Sequence, residues 1–244
     1  MPEGPSLVIL KEEVQQFINK KVVLATGNTK AFDASLMNNK KILDFKTWGK
    51  HFLICFNTFT IRIHFMLFGS YRINEQKDAI PRLSLKFAKG ELNFYACSVK
   101  KIEEDLDSLY DWRADVMSDL WDKKLARQKL KQQPEMLACD ALLDQNIFAG
   151  VGNIIKNEVL FRIKVHPLSK VGALPLKKLN QLIEEARKYS FDFLKWKKAY
   201  VLKKHWLAHR KKMCPEDNIP YMISHLGKTH RKSYYCEVCQ VLYA

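Results

Sequence analysis

The first residues of the chain combine a potential nucleophile with a carboxylate. Pro2 follows Met1, and removal of Met1 would leave Pro2 with a free secondary amine. An α-amino group titrates at about pH 8, roughly two units below a lysine, so part of it is unprotonated at neutral pH. Such an amine can attack a sugar C1′ and form an iminium, and Glu3 is adjacent for proton transfer. Because many proteins begin Met-Pro by chance, this pair carries weight only alongside other motifs.

A second group of chemically active residues lies near the C-terminus, in the pattern C-x-x-D followed by C-x-x-C. Clustered cysteines indicate metal binding rather than a disulfide framework, and because carboxylate oxygens can also bind zinc we predict a structural Zn²⁺ site. The candidate ligands are Cys214, Asp217, Cys236 and Cys239. His225 or His230 is an alternative fourth ligand, and a hairpin that has lost its metal is a third interpretation. The three remaining cysteines are scattered, as expected for buried reduced thiols.

Charge indicates the class of partner. The chain has 41 Lys and Arg against 26 Asp and Glu, a net charge of +15. This excess favours a polyanion, although an acidic protein or a membrane surface could also exploit it. No apolar run reaches the roughly 20 residues of a membrane span, and the first residues lack a secretory signal. We therefore expect a soluble, cytoplasmic protein, nucleoid-associated if bacterial, with no membrane or small-molecule cofactor.

The elements that must position these residues change character along the chain. Helical spacing of apolar residues over 7–18 predicts a helix of about four turns, and β-branched and aromatic runs from 22 to 102 predict antiparallel strands in a sandwich or barrel. The spacing beyond residue 105 predicts helices over 106–130, 136–144, 152–161 and 175–200. We expect an α+β fold with a helix and β-sandwich domain (1–105), a helical domain (106–213) and a zinc-finger-like hairpin (214–244).

Two segments have features suited to nucleic acid. Gly150 and Gly152 precede a helix, where the backbone can approach a phosphate closely and the helix N-terminus can bind it. Asn153 would donate its amide to that phosphate or serve as a plain N-cap. The residues Met66, Leu67 and Phe68 are bulky and apolar where the chain should turn. They are either a wedge that enters a base stack or core residues at a strand end.

Four segments together resemble the formamidopyrimidine-DNA glycosylase and endonuclease VIII (Fpg/Nei) family. Residues 2–5 (PEGP) are similar to the family's start, and 48–51 (WGKH) to the turn that presents its essential lysine. Residues 143–154 (LDQNIFAGVGNI) are very similar to its helix-two-turn-helix signature, and Arg231 with 235–240 (YCEVCQ) to its finger hairpin. The resemblance spans nearly the whole chain, and the helix-two-turn-helix segment is its most specific part.

The resemblance implies a monomeric DNA glycosylase with lyase activity that excises oxidised bases from damaged duplex DNA. Pro2 would attack C1′, Glu3 would assist, and Lys50 would contact the phosphate or base at the damaged nucleotide. Asn153 and Arg231 would bind the neighbouring phosphates. β-Elimination, with a second δ-elimination, would follow.

Two departures and a short connection bear on activity and substrate. Ser6 stands where many relatives carry glutamate, and Asp217 where a cysteine is expected. By resemblance to Nei, the short connection between Tyr200 and Cys214 and the wedge triplet on one loop imply a preference for oxidised pyrimidines over the oxidised purines of Fpg. An Fpg-type specificity, a catalytically inactive DNA-binding relative and a ribosome-associated RNA-binding protein are the alternatives.

Overall fold

The chain begins with a helix that is shorter than its sequence predicts. In the computed structural model, which describes residues 2–244, α1 spans Gly4–Glu13 with Pro5 in its first turn. A separate 3-10 turn, Gln15–Phe17, follows in place of a fourth helical turn. The break directs Phe17 into the core, where its ring stacks on Phe87 with centroids 4.5 Å apart.

Eight strands follow and form two antiparallel four-stranded sheets, which confirms the predicted β-sandwich class. One sheet has the order β1-β6-β7-β5 and the other β2-β3-β4-β8. The core contains residues of both sheets, and Phe52 contacts Phe94 with ring centroids 6.1 Å apart. The strands are β1 Val22–Thr26, β2 Asp44–Trp48, β3 His51–Cys55, β4 Thr60–His64, β5 Ser70–Ile73, β6 Leu83–Phe87, β7 Glu91–Tyr95 and β8 Ser98–Ile102.

The helical part differs from expectation at its start. The continuous helix predicted over 106–130 is wrong: the chain forms α2 (Leu106–Leu109), a 3-10 turn (Trp112–Ala114) and α3 (Lys123–Lys131). The side chain of Asp122 accepts hydrogen bonds from the N–H groups of the first turn and so fixes the start of α3. This local capping prevents one long helix.

The remaining helices follow the apolar periodicity more closely. They are α4 (Ala138–Ala141), α5 (Asn153–Arg162) and α6 (Leu176–Lys198). Their apolar faces share one core, in which Tyr189 is fully buried. Among the described residues, no helix combines the length and the apolar character that crossing a membrane requires.

The chain ends in an antiparallel hairpin of β9 (Met222–Leu226) and β10 (Arg231–Tyr235), here called the C-terminal hairpin. The chain divides into two compact units, residues up to 110 and residues 111–244, and this hairpin belongs to the second. The boundary predicted at residue 214 stays a prediction.

Candidate functional site

Pro2 and Glu3 lie directly before α1. Glu3 occupies the N-cap position in an extended conformation (φ −111°, ψ 170°), and its carbonyl oxygen accepts a 2.8 Å hydrogen bond from the Ser6 N–H. The Glu3 side chain is buried but does not cap the helix, and Pro2 is half-buried. Met1, whose removal the amine chemistry requires, lies outside the described residues. The predicted nucleophile and carboxylate thus stand at the positive end of a helix.

Lys50 lies in the tight turn between β2 and β3. Trp48 pairs with His51 across the turn, and Gly49 has a positive φ of 55°, a conformation that favours glycine. The Lys50 side chain is half-buried. Helix α1 packs against both β2 and β3. The first unit therefore places the segment after Pro2 and Glu3 on the strands that carry Lys50.

Aromatic rings surround the base of the Lys50 turn. The Tyr110 ring lies 4.9 Å from that of Trp48 and 5.7 Å from that of His51, which is itself 5.5 Å from His64. Burial, reinforced by nearby cations, lowers the pKa of His51 to about 3, and the pKa of His64 is lowered for the same reasons. Both imidazoles are therefore neutral at pH 7, and the positive charge here belongs to Lys50 and Arg62.

The 65–69 loop exposes the predicted wedge residues. Met66, Leu67 and Phe68 are 53%, 47% and 87% exposed, so they are not the core residues of the alternative interpretation. The Met66 N–H donates to His64 Nδ1 (3.2 Å), and the Gly69 N–H donates to the carbonyl of Phe65 (2.8 Å). Backbone groups and the His64 ring thus hold the loop. The Met66 sulfur also lies 3.0 Å from His64 Nδ1, whereas the Leu67 and Phe68 side chains project from the loop.

The loop before α5 is held by a glutamine. The Gly150 N–H donates to Gln145 Oε1 (3.0 Å), and Gln145 Nε2 donates to the Val151 carbonyl (3.2 Å). Gly150 has a φ of 98°, whereas Gly152 at φ −123° is in an ordinary extended conformation. Gly152 is the N-cap and Asn153 the first helical residue, so the interpretation of Asn153 as a plain N-cap is wrong.

Three side chains of α5 converge on one carbonyl of the C-terminal hairpin. Asn153 Nδ2, Asn157 Nδ2 and Lys156 Nζ lie 2.9, 3.3 and 3.4 Å from the Lys232 carbonyl oxygen. Lys156 is fully buried and also donates to Ser233 Oγ (2.8 Å). These contacts fix the register of β10 against α5. Arg231 is half-buried at the start of β10 and directly precedes Lys232, whose carbonyl accepts the Asn153 hydrogen bond. The same contacts therefore fix the backbone next to Arg231.

Two carboxylates hold the surrounding backbone. Asp140 of α4 accepts hydrogen bonds from the Lys228 N–H at 3.0 and 3.1 Å, at the turn of the C-terminal hairpin. Glu158 is fully buried and accepts from the N–H groups of three successive residues, 207–209, at 2.8–3.1 Å. Arg162 lies 3.6 Å from Glu158 and balances its charge. Backbone donors and a cation are the partners that a buried carboxylate requires.

The four predicted metal ligands come together. The ligand atoms of Cys214, Asp217, Cys236 and Cys239 all lie within 4.8 Å of one another. The sulfurs of Cys214 and Cys239 are 3.8 Å apart, and a tetrahedral site with Zn–S bonds of about 2.3 Å has S···S edges of about 3.8 Å. One Asp217 oxygen lies 3.1 Å from the Cys236 sulfur. The donor set thus fits a tetrahedral cation.

The histidine alternatives for the fourth ligand do not join this group. His225 lies on β9 and His230 in the following turn, and in the part of the chain that the structure describes the group consists of three cysteines and Asp217. Hydrogen bonds from the surrounding thiols lower the pKa of Asp217, so its carboxylate is charged and ready to bind a cation.

Sequence reasoning missed the polar residues that position α5. Lys156, Asn157 and Glu158 are consecutive and all buried, inside a helix whose other residues are mainly apolar. The sequence pattern that could have revealed them is the occurrence of apolar residues on every side of this helix, which is typical of a buried helix. Three successive polar side chains there must each have a buried partner.

Two domain models of one protein family match the sequence of this chain. The Formamidopyrimidine-DNA glycosylase N-terminal domain matches residues 1–97, and the Formamidopyrimidine-DNA glycosylase H2TH domain matches residues 114–190. The chain belongs to the Fpg/Nei family. Endonuclease 8-like 3 of Mus musculus is 31% identical over 205 residues, 80% of this chain and 34% of that protein. Endonuclease 8-like 2 of Bos taurus is 32% identical over 205 residues, 74% of this chain and 58% of that protein.

The chain therefore spans about a third to somewhat over half of the length of these curated relatives. Solved structures show the same fold. Lactococcus lactis Fpg (MutM) in complex with DNA containing an oxidised pyrimidine has a TM-score of 0.85 at 20% identity, covering 98% of this chain and 99% of that one. A viral DNA glycosylase has a TM-score of 0.83 at 21% identity, covering 98% of this chain and 100% of that one.

Proposed function

We propose that this Fpg/Nei protein is a bifunctional DNA glycosylase and AP lyase that excises oxidised bases, with oxidised pyrimidines favoured. The observation that carries the proposal is the placement of Pro2 and Glu3 at the start of α1, which packs on the two strands joined by the Lys50 turn. The positive end of α1 favours the neutral form of an amine at Pro2 and a charged carboxylate at Glu3.

The proposed chemistry begins when the Pro2 nitrogen attacks C1′ of the damaged nucleotide. The bond between C1′ and the base breaks, and the departing base takes a proton from water. The Glu3 carboxylate accepts the proton that the Pro2 nitrogen loses and delivers it to the ring oxygen as the sugar opens to an iminium. Loss of a C2′ proton then breaks the C3′–O bond and releases the 3′ phosphate. A δ-elimination releases the 5′ phosphate, and water hydrolyses the iminium to free Pro2. Lys50 supplies positive charge to the phosphate or base.

The proposed partner is damaged duplex DNA, bound by a monomer. Gly150, Gly152 and Asn153 would present α5 to a phosphate, and Arg231 would bind a neighbouring one. The exposed 65–69 loop would enter the stack as the damaged nucleotide leaves it, because flipping costs a few kcal/mol that an apolar wedge partly offsets. The wedge on one loop and the short 200–214 connection support the pyrimidine preference.

Covalent trapping tests the proposal. The protein is expressed with an N-terminal extension that a protease removes to leave Pro2 first, and is assayed before and after cleavage. With borohydride and duplexes carrying an oxidised pyrimidine, an oxidised guanine or an abasic site, we expect an adduct at Pro2 only after cleavage. The best-trapped damaged base identifies the substrate class. DNA binding without any adduct would identify a non-catalytic DNA-binding protein.

We also propose that the four-residue cluster holds a structural Zn²⁺. When bound, the ion would cross-link the segment at 214–217 to the end of the C-terminal hairpin. Elemental analysis of the purified chain should give about one zinc per chain, reduced in the Cys236→Ser variant. The Cys139→Ser variant, which alters a buried thiol outside the cluster, is the control. Equal zinc in both variants would exclude this site.

A further inference from the structure

Tyr200 has an unusual position at the end of α6. Its φ is 58°, the left-handed conformation that glycine usually supplies just after a helix. Its N–H donates to the Lys197 carbonyl (3.0 Å), and the Val201 N–H donates to that of Trp196 (2.9 Å), so the strained backbone is held in place. A bulky residue here is destabilising by comparison with glycine.

Packing does not compensate for this strain, because Tyr200 is 97% exposed. The backbone beneath it is nevertheless firmly anchored. The Trp196 and His205 rings stack with centroids 4.1 Å apart and an interplanar angle of 6°, and the Arg162 guanidinium lies 6.0 Å from the Trp196 ring. The fold thus presents an aromatic ring to solvent on a rigid support.

The segment around Tyr200 is strongly and uniformly basic. Between Phe193 and Cys214 the sequence contains eight Lys or Arg residues and no Asp or Glu. Five exposed lysines lie within five residues of Tyr200 on either side: Lys195, Lys197, Lys198, Lys203 and Lys204. Such a surface suits a partner that offers both negative charge and flat apolar faces.

We propose that Tyr200 and its five neighbouring lysines form a second nucleic-acid site, which binds an unpaired strand. Lysines bind the phosphates, and an exposed aromatic ring stacks on a base, which only an unpaired strand can present. An acidic protein would use the lysines without the ring. An anionic membrane, whose interface can also take a tyrosine, is distinguished from a strand by the vesicle arm of the test below. The proposal is independent of catalysis by Pro2.

Binding of a lesion-free oligonucleotide tests the site separately from the glycosylase proposal. Fluorescence anisotropy with labelled (dT)12, and with (U)12 to compare DNA and RNA, is measured for the parent, Tyr200→Gly and Tyr200→Phe. Loss of stacking should weaken binding by Tyr200→Gly about 5- to 100-fold, whereas Tyr200→Phe should bind like the parent. Because glycine suits the positive φ, the Tm of Tyr200→Gly should not fall and should rise by up to about 2–4 °C.

Two further arms locate the site and separate the alternatives. Lys203→Gln with Lys204→Gln should reduce the salt dependence of (dT)12 binding by about 1.4 in log–log slope. An oligonucleotide carrying 5-iododeoxyuridine should cross-link on irradiation to the peptide containing Tyr200. Unchanged (dT)12 and (U)12 affinity in Tyr200→Gly would overturn the proposal. So would a Tyr200-dependent interaction seen only with phosphatidylserine vesicles.

Discussion

The 65–69 loop and the C-terminal hairpin both present candidate DNA contacts, but the fold holds them in opposite ways. In the loop, backbone groups and His64 fix the chain while Met66, Leu67 and Phe68 project into solvent. In the hairpin, side chains of α4 and α5 bind backbone groups of the turn and of β10. The Leu67 and Phe68 side chains at the tip of the loop can therefore change without affecting the fold, whereas the hairpin depends on side chains distant in sequence.

The largest effect should come from Glu158, the buried carboxylate on the helix that supports the hairpin. Glu158→Gln replaces one acceptor oxygen with an amide donor facing backbone N–H groups and leaves Arg162 without its acidic partner. We expect a loss of about 3 kcal/mol in the free energy of unfolding, measured with denaturant. Glu184→Gln, an exposed residue 4.0 Å from Lys123, is the control and should change stability by less than about 0.5 kcal/mol. A similar small change in both variants would show that the 207–209 segment does not depend on Glu158.

Acidification should lower the free energy of unfolding in the units of both the 65–69 loop and the C-terminal hairpin, because each unit contains a buried neutral histidine. Burial lowers the pKa of His51 to about 3, and that of His209, which lies 3.3 Å from Asn157 Nδ2, to about 4. In the unfolded chain each histidine binds a proton as the pH falls below its ordinary pKa of about 6.5, whereas in the folded chain it stays neutral. The free energy of unfolding is therefore highest above pH 6.5 and declines as the pH falls toward the lowered pKa values of the folded state.

Between pH 7 and pH 5 each histidine should remove about 2 kcal/mol from the free energy of unfolding. Denaturant titrations of the parent, His51→Gln and His209→Gln at both pH values measure this dependence. Each variant should lose less stability than the parent over the interval. A variant whose dependence on pH matches that of the parent would show that folding does not lower the pKa of its histidine.

The sequence predicted the elements whose pattern is local. The eight strands of the sandwich all lie in the 22–102 segment whose β-branched and aromatic runs predicted strands. Helices α5 and α6 begin and end within two residues of the helices predicted over 152–161 and 175–200. The helix over 106–130 failed because Asp122 begins a new helix. Periodicity alone gives no weight to such a side-chain cap.

In the candidate site, too, residues with a local sequence pattern were predicted and contacts between distant residues were not. The C-x-x-D and C-x-x-C pairs identified the four residues whose ligand atoms cluster, because short spacing limits their geometry. The contacts of Asn153, Lys156 and Asn157 with the Lys232 carbonyl were not predicted. They join residues far apart in the chain, and their partner is a backbone group that carries no sequence signal.

The smallest effect on stability should come from Phe68, and it sharpens the contrast between the two regions. Because Phe68 is 87% exposed, Phe68→Ala should change the free energy of unfolding by less than about 0.5 kcal/mol. Excision from a damaged duplex should nevertheless fall about 10-fold, since the wedge offsets part of the cost of unstacking. Val23→Ala, which shortens a 56% exposed apolar side chain on β1, at the edge of the sheet opposite β5, should alter neither quantity. Equal excision by both variants would mean that the exposed ring does not enter the stack, and a large loss of stability in Phe68→Ala would mean that the ring packs within the fold after all.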